Sequence, residues 1–286
     1  MAAPALLLPL FLLLWQGCRE RSTPPSRLAL TPSRIVTLAP NLTEIVFALG
    51  AGDRLAGVSD HSDYPPAARA LPRVGGLEVS VEKVASLRPD LVLAVAEGSG
   101  RGAVMSLRSA GLPVLVVPSG SLDAALEGIR LVAQRLDRRE AGALLLEDLE
   151  ARRRAARGIV AAAKGPRPRA VLLIWPDPPQ AAGGGTLLND VLVEAGAENL
   201  LAAKSGWPIV SAEFLATAPL DVLVVSHSAE NAPAYDRAFH EGALSRGRPK
   251  RVRVIRLNED ALTRPGPRVF TVLQDLATLL HPPDGR

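Results

Sequence analysis

The chain has 286 residues, 48% hydrophobic and 22% charged, enough apolar material to bury a core and far from the composition of a disordered chain. Its 33 basic and 29 acidic residues leave a net charge of +4, with the arginines dispersed rather than gathered in a stripe, so a nucleic-acid partner is not expected. A single cysteine, Cys18, excludes an intramolecular disulfide and any multi-cysteine zinc or iron–sulfur site.

Ala2 to Trp15 is one apolar run broken by Pro4 and Pro9, too short to span a bilayer and suited to the core of a secretory signal. Gly17 before Cys18 resembles a bacterial lipoprotein cleavage site, although Trp15 and Gln16 depart from the usual pattern. Residues 1–18 are therefore expected to be a signal peptide carrying a lipidated Cys18, and residues 19–33 a tether. The expected location is periplasmic or otherwise extracytoplasmic, with the chain held at the membrane by its lipid. No later segment approaches the ~20 apolar residues of a membrane span.

Seven short aliphatic runs follow: Arg34 to Leu38, Leu55 to Val58, Leu91 to Val95, Val114 to Val117, Ala170 to Trp175, Val222 to Ser226 and Val252 to Leu257. Strands that are apolar throughout, separated by helix-period segments, predict parallel sheets covered on both faces. Asn41 and Thr43 offer cap oxygens to the first helix, with Glu44 in its first turn and Gly50 at its end. Ser80 to Leu93 aligns without a gap on Ser211 to Val224, and Leu49-Gly50-Ala51 matches Ala195-Gly196-Ala197. Each long unit reads as a short helix capped by serine, with a glutamate in its first turn, leading into a buried strand. Two such units predict two α/β lobes of related build, at residues 34–137 and 166–286. Between them, residues 138–165 lack proline and are rich in Ala, Leu, Arg and Glu, predicting a helix of about 25 residues and roughly 37 Å that joins the lobes rigidly.

Enzyme signatures are scarce. Gly183-Gly184-Gly185-Thr186 before a helix offers backbone N–H groups to an anion but lacks the Gly-Lys-Ser/Thr ending of a nucleotide loop. No Gly-x-Ser-x-Gly or His-Glu-x-x-His occurs. The four histidines, His61, His227, His240 and His281, are scattered; His227 follows a strand and His281 is expected at the surface. An α/β enzyme is the least favoured alternative, and no catalytic residue or cofactor is expected.

The sequence resembles the helical-backbone (class III) family of substrate-binding proteins of ABC importers, whose members bind cobalamin, haem or ferric siderophores. The residues that carry the resemblance are Arg34 to Glu44, Gly57 to Pro66 with its Ser-Asp-Tyr-Pro-Pro block, Leu71 to Gly76, Glu82 to Leu93, Trp207-Pro208 with Ser211 and Glu213, and Arg264 to Arg268. They span residues 34 to about 280, and the cobalamin-binding members are the most similar. The resemblance implies two Rossmann-like lobes with parallel sheets joined by a long rigid helix, a ligand cleft between the lobes, and transfer of the ligand to a permease dimer driven by a separate ATPase.

Residue by residue, Glu82 and Glu213 match the two family glutamates, one per lobe, that dock onto the permease. Trp207 matches a tryptophan that stacks on a flat ligand. His61 stands where cobalamin-binding members carry tyrosine, and as an imidazole it also suits an axial metal ligand of haem or of a corrinoid cobalt. Tyr64 shares its loop. Gly76 and Gln180 stand where aromatics are usual, and Asp260 and Arg268 match charged residues of the second lobe's cleft side. The expected ligand is a corrinoid, cobalamin foremost, with haem or a ferric siderophore as alternatives. The expected partners are that ligand, the permease and the membrane through the lipid anchor, with the protein itself a monomer.

Overall fold

Apolar runs free of breakers become parallel strands here, and the amphipathic stretches between them become helices on both faces of each sheet. The computed structural model describes residues 31–76, 78–95, 101–241, 244 and 252–283. Cys18, the signal segment and most of the tether lie outside these residues.

In the first lobe β1 (Ile35–Thr37), β2 (Leu55–Val58), β3 (Leu91–Val95) and β4 (Val114–Val117) form a sheet in the order β2-β1-β3-β4, with every pairing parallel. β1 and β3 are buried along their whole length, as a sheet covered on both faces requires. The helices of this lobe are α1 (Pro40–Ala48), α2 (Val81–Ser86), α3 (Arg101–Ser109) and α4 (Leu122–Arg135).

α5 (Arg139–Ala162) then leads into the second lobe. There β5 (Arg169–Pro176), β6 (Pro179–Ala181), β8 (Val222–His227) and β9 (Arg253–Asn258) form a sheet in the order β6-β5-β8-β9, with β7 (Glu198–Asn199) also paired to β5. Only β6 runs antiparallel. The helices described here are α6 (Leu187–Glu194), α7 (Ala212–Thr217), α8 (Ala232–His240), α9 (Glu259–Thr263) and α10 (Arg268–Leu280).

At 24 residues α5 is about 36 Å long. It packs against α4 and α10, and one apolar cluster passes through its Leu149 and Ala156, joining Leu42 and Ile129 of the first lobe to Leu172 and Leu273 of the second. Gly142 interrupts neither helix nor packing: a Cβ there would stand 2.4 Å from the Ala133 Cβ, so the missing side chain lets α4 and α5 approach closely. Arg153 strengthens this spine by pairing with Asp123 of α4 and Glu194 of α6. Burial works against the Glu194 charge, but hydrogen bonds and charge from Arg153 and Arg157 outweigh it and hold the carboxyl below the usual range.

Three local expectations change. α1 starts at Pro40 with Ala39 as its cap residue and no side-chain cap, because proline needs no partner for an N–H it lacks. Asn41 and Thr43 are instead buried, and Glu44 lies on the inward face beside Leu42 and Ile45. Gly183 and Gly184 are needed for close backbone contact, since a Cβ would come within 2.0 Å of the Lys204 carbonyl oxygen at one and 2.2 Å of that of Ala202 at the other; Thr186 caps α6 through the Asn189 N–H. His281 is only partly exposed: its Nε2 is buried without a hydrogen-bond partner, in the space left by Gly196. The short strands β6 and β7 carry no apolar run and escaped the periodicity.

Candidate ligand-binding cleft

Parallel sheets present the carboxyl ends of their strands on one edge, where ligands of α/β proteins collect. Here the two edges face each other across a cavity of about 340 Å³. The first lobe lines it with Asn41, Val95, Ser119 and Gly120, and the second with Gly185 to Leu188, Trp207, Thr263 and Pro265. No charged side chain is among these residues. A few polar groups in an otherwise apolar hollow suit a ligand held by its shape and by a few directed hydrogen bonds.

The loop after β2 reaches the neighbourhood of the cavity through Asp63, bonded to Arg264 between the cavity residues Thr263 and Pro265, although none of the loop's residues lines the cavity itself. Beneath the loop runs a chain of buried hydroxyls: Thr37 to Thr43 at 2.7 Å, Thr43 to Ser62 at 2.9 Å and Ser62 to Ser59 at 2.8 Å. Arg73 donates to the carbonyls of Ser59 and Ser62 at 2.9 and 2.7 Å. With its backbone tied from two sides, the loop holds His61 and Tyr64 outward, both exposed. Gly76 lies behind His61; a Cβ there would be 3.5 Å from the His61 Nε2. The imidazole thus covers the spot from which a side chain at residue 76 would emerge.

Five charged residues described beside the cavity, Glu44, Asp63, Asp260, Arg264 and Arg268, are paired with each other. Glu44, with a side chain only 3% exposed, accepts from Arg268 at 2.5 and 2.9 Å and lies 3.5 Å from Arg264. Arg264 also pairs with Asp63 at 2.7 Å and Asp260 at 2.5 Å. The Arg268 guanidinium sits 4.2 Å from the centre of the Tyr64 ring, a cation–π contact. Partial burial opposes ionisation of Asp63, yet the hydrogen bond and charge of Arg264 prevail and keep its carboxyl below the ordinary range. For Arg268 burial acts in the opposite sense to Glu44, which wins and raises its pKa. The structure therefore places Asp260, Arg268 and one face of Tyr64 in a strap that crosses from lobe to lobe, with Glu44, Asp63 and Arg264 as further members, to which the sequence assigned no part in the site. An acid on an otherwise apolar helix face was the available signal, since a buried carboxylate requires a cation.

The second lobe's wall carries Trp207, 44% exposed at the cavity, and Gln180, whose amide donates to the Trp207 carbonyl at 3.3 Å. Trp175, passed over in the sequence as part of a strand, is 46% exposed. Among the described residues no three of His, Cys, Asp and Glu converge as a metal site, and His227 turns its ring toward Tyr235 with centroids 6.4 Å apart. Glu82 and Glu213 occupy the first turns of α2 and α7, both exposed, behind Ser80 and Ser211.

Residues 35–241 match the periplasmic binding protein family. The chain belongs to that family. As a periplasmic binding protein it is the solute-binding component of an ABC transporter, and a permease and a ligand are its partners. It is 30% identical to an uncharacterized ABC transporter substrate-binding lipoprotein of Bacillus subtilis, over 88% of this chain and 81% of that one. Among solved structures it is similar to the periplasmic haem-binding protein of Roseiflexus sp. RS-1 in its apo form, with 31% identity, TM-score 0.76, and 87% and 97% of the two chains covered. It is also similar to the periplasmic vitamin B12-binding protein of Vibrio cholerae, with 28% identity, TM-score 0.73 and the same coverage. No helix among the described residues of this periplasmic binding protein is long and apolar enough to cross a membrane.

Proposed function

We propose that the protein captures a corrinoid, cobalamin foremost, between its lobes and hands it to a membrane permease, without chemistry or a resident cofactor. The observation that carries this reading is the absence of a charged side chain among the described residues lining the cavity beside Trp207, next to arginines already neutralised by Glu44, Asp63 and Asp260. A corrinoid with amide side chains asks for a planar wall and hydrogen bonds. The carboxylates of haem and of many siderophores ask for free cations. One observation favours haem as the second reading: His61 presents an exposed imidazole from a braced loop, suited to an axial position on iron. On the corrinoid reading the same imidazole faces the macrocycle opposite Trp207.

Docking rests on Glu82 and Glu213, one exposed carboxylate per lobe, which match a partner with two-fold symmetry. Cys18 is the proposed site of lipid attachment, in keeping with the lipoprotein named among the relatives. Calorimetric titration with cyanocobalamin, and with haemin in parallel, tests the ligand. Tight one-to-one binding of the corrinoid, lost in Trp207→Ala, is the expected result; binding of haemin alone, abolished in His61→Ala, transfers the assignment to haem. The double variant Glu82→Ala, Glu213→Ala is expected to bind ligand normally and to abolish uptake, and normal uptake would refute the docking role.

A further inference from the structure

We propose that Trp175 contacts the ligand: together with Gln180 and Ile209 it forms an outer shelf on the second lobe's wall, beyond the cavity, that takes the edge of a large planar macrocycle. The inference rests on the cleft being the capture site. Strand register carries it. β5 pairs with β6 so that Leu173 faces Ala181 and Trp175 faces Gln180, with an irregularity between Leu173 and Trp175. Residues two apart on a regular strand share a face, so an unbroken ladder would send Trp175 after Leu173 and Ala181 into the buried cluster on the sheet's far side. The irregularity turns Trp175 to the face of Gln180 instead. Ile209 pairs with Gln180 across the next segment, and Trp207, two residues before it, lines the cavity. Trp175, Gln180 and Ile209 therefore share one face of the ladder, and the Gln180 amide ties it to the Trp207 carbonyl at 3.3 Å.

Exposure and size add to the register. Trp175 is 46% and Ile209 70% exposed, while the Trp175 indole N–H donates to the Asp177 carbonyl at 2.9 Å, which orients the ring without covering it. Large apolar groups held open beside a hollow, with their polar edges satisfied, mark a contact surface. The cavity of about 340 Å³ lies near the lower end of ligand pockets, and a corrinoid or haem that enters it extends over this wall. Of the three tryptophans in the sequence, the two beyond the leader, Trp175 and Trp207, both stand on it.

The test is calorimetric titration of the full chain and its variants with cyanocobalamin and with haemin. Trp175→Ala is expected to raise the Kd of the probe that wild type binds by about fivefold or more, and Trp175→Phe to stay within about twofold, because a phenyl ring preserves the stacking face. The thermal midpoint is expected to stay unchanged in both. An unchanged Kd in Trp175→Ala, with wild type binding normally, overturns the shelf and leaves the capture site standing. Equal losses in the Ala and Phe variants assign the effect to the indole hydrogen bond and overturn stacking. Failure of wild type to bind either probe overturns both the shelf and the reading beneath it.

Discussion

Gly75 to Glu82 in the first lobe and Gly206 to Glu213 in the second are the same piece of chain built twice. Both open on a glycine at positive φ, 114° and 72°, where a side chain would be strained. Both tuck a valine inward, Val79 and Val210, and both cap a six-residue helix with serine, accepting the Lys83 and Phe214 N–H groups at 3.2 and 3.1 Å. Both then expose a glutamate. Inside this shared frame the lobes diverge: Trp207, which lines the cavity, corresponds to Gly76, whose vacant side is covered by His61. Ile209 corresponds to Glu78. The repeated features serve the scaffold and the proposed docking carboxylates, and the unrepeated ones make the two lobes chemically different at these positions, an indole in one and an imidazole in the other.

Four substitutions probe how far the two halves act as one body and how far they are copies. The largest effect is expected from Glu44→Ala, which strips the buried acceptor from Arg264 and Arg268 and is expected to cost about 3 kcal/mol or more in urea denaturation. A loss within a few tenths of that figure from zero would break the claim that this strap unites the lobes.

On the far side, Glu194→Gln is expected to destabilise by about 1.5 kcal/mol at neutral pH by weakening the grip of Arg153. Because the Glu194 pKa is depressed on folding, its contribution is present above the unfolded carboxylate value near 4.5 and is lost as pH falls through the folded one. The gap between wild type and Glu194→Gln in thermal melts is thus expected to close on acidification below that value, and a constant gap would contradict the charge-based account.

The smallest effects sharpen the comparison. Ser80→Ala and Ser211→Ala each remove one cap bond and are expected to cost about 1 kcal/mol apiece, equally in the two lobes. A large inequality between them in denaturant midpoints would show that the repeated frame bears different loads.

Much of the fold was legible because parallel strands buried on both faces are simply continuous apolar runs, and β2, β3 and β4 begin and end where those runs do. The joining helix was equally plain, being 24 residues of strong helix formers without proline. The burial of the His281 Nε2 was not legible because proximity to a terminus says nothing about packing, and Gly196 makes room for the ring from a distant part of the chain. Asp260 and Arg268 were identified by resemblance as cleft charges; Glu44, which pairs with Arg268, and Asp63, which pairs with Arg264, lie some 200 residues away from those arginines, so no local spacing could show the pairing.

By itself the sequence determined what depends on local spacing: the strand runs, the helical spine, the serine caps, the duplicated frame and the glutamates it presents. Tertiary structure alone decided which charges are free and which are consumed, which face Trp175 turns to, and that His61 covers the position that matches Trp207. These are properties of pairs of groups brought within a few ångströms by folding. Coulomb attraction, hydrogen bonding and solvent exclusion act on that distance and not on separation along the chain.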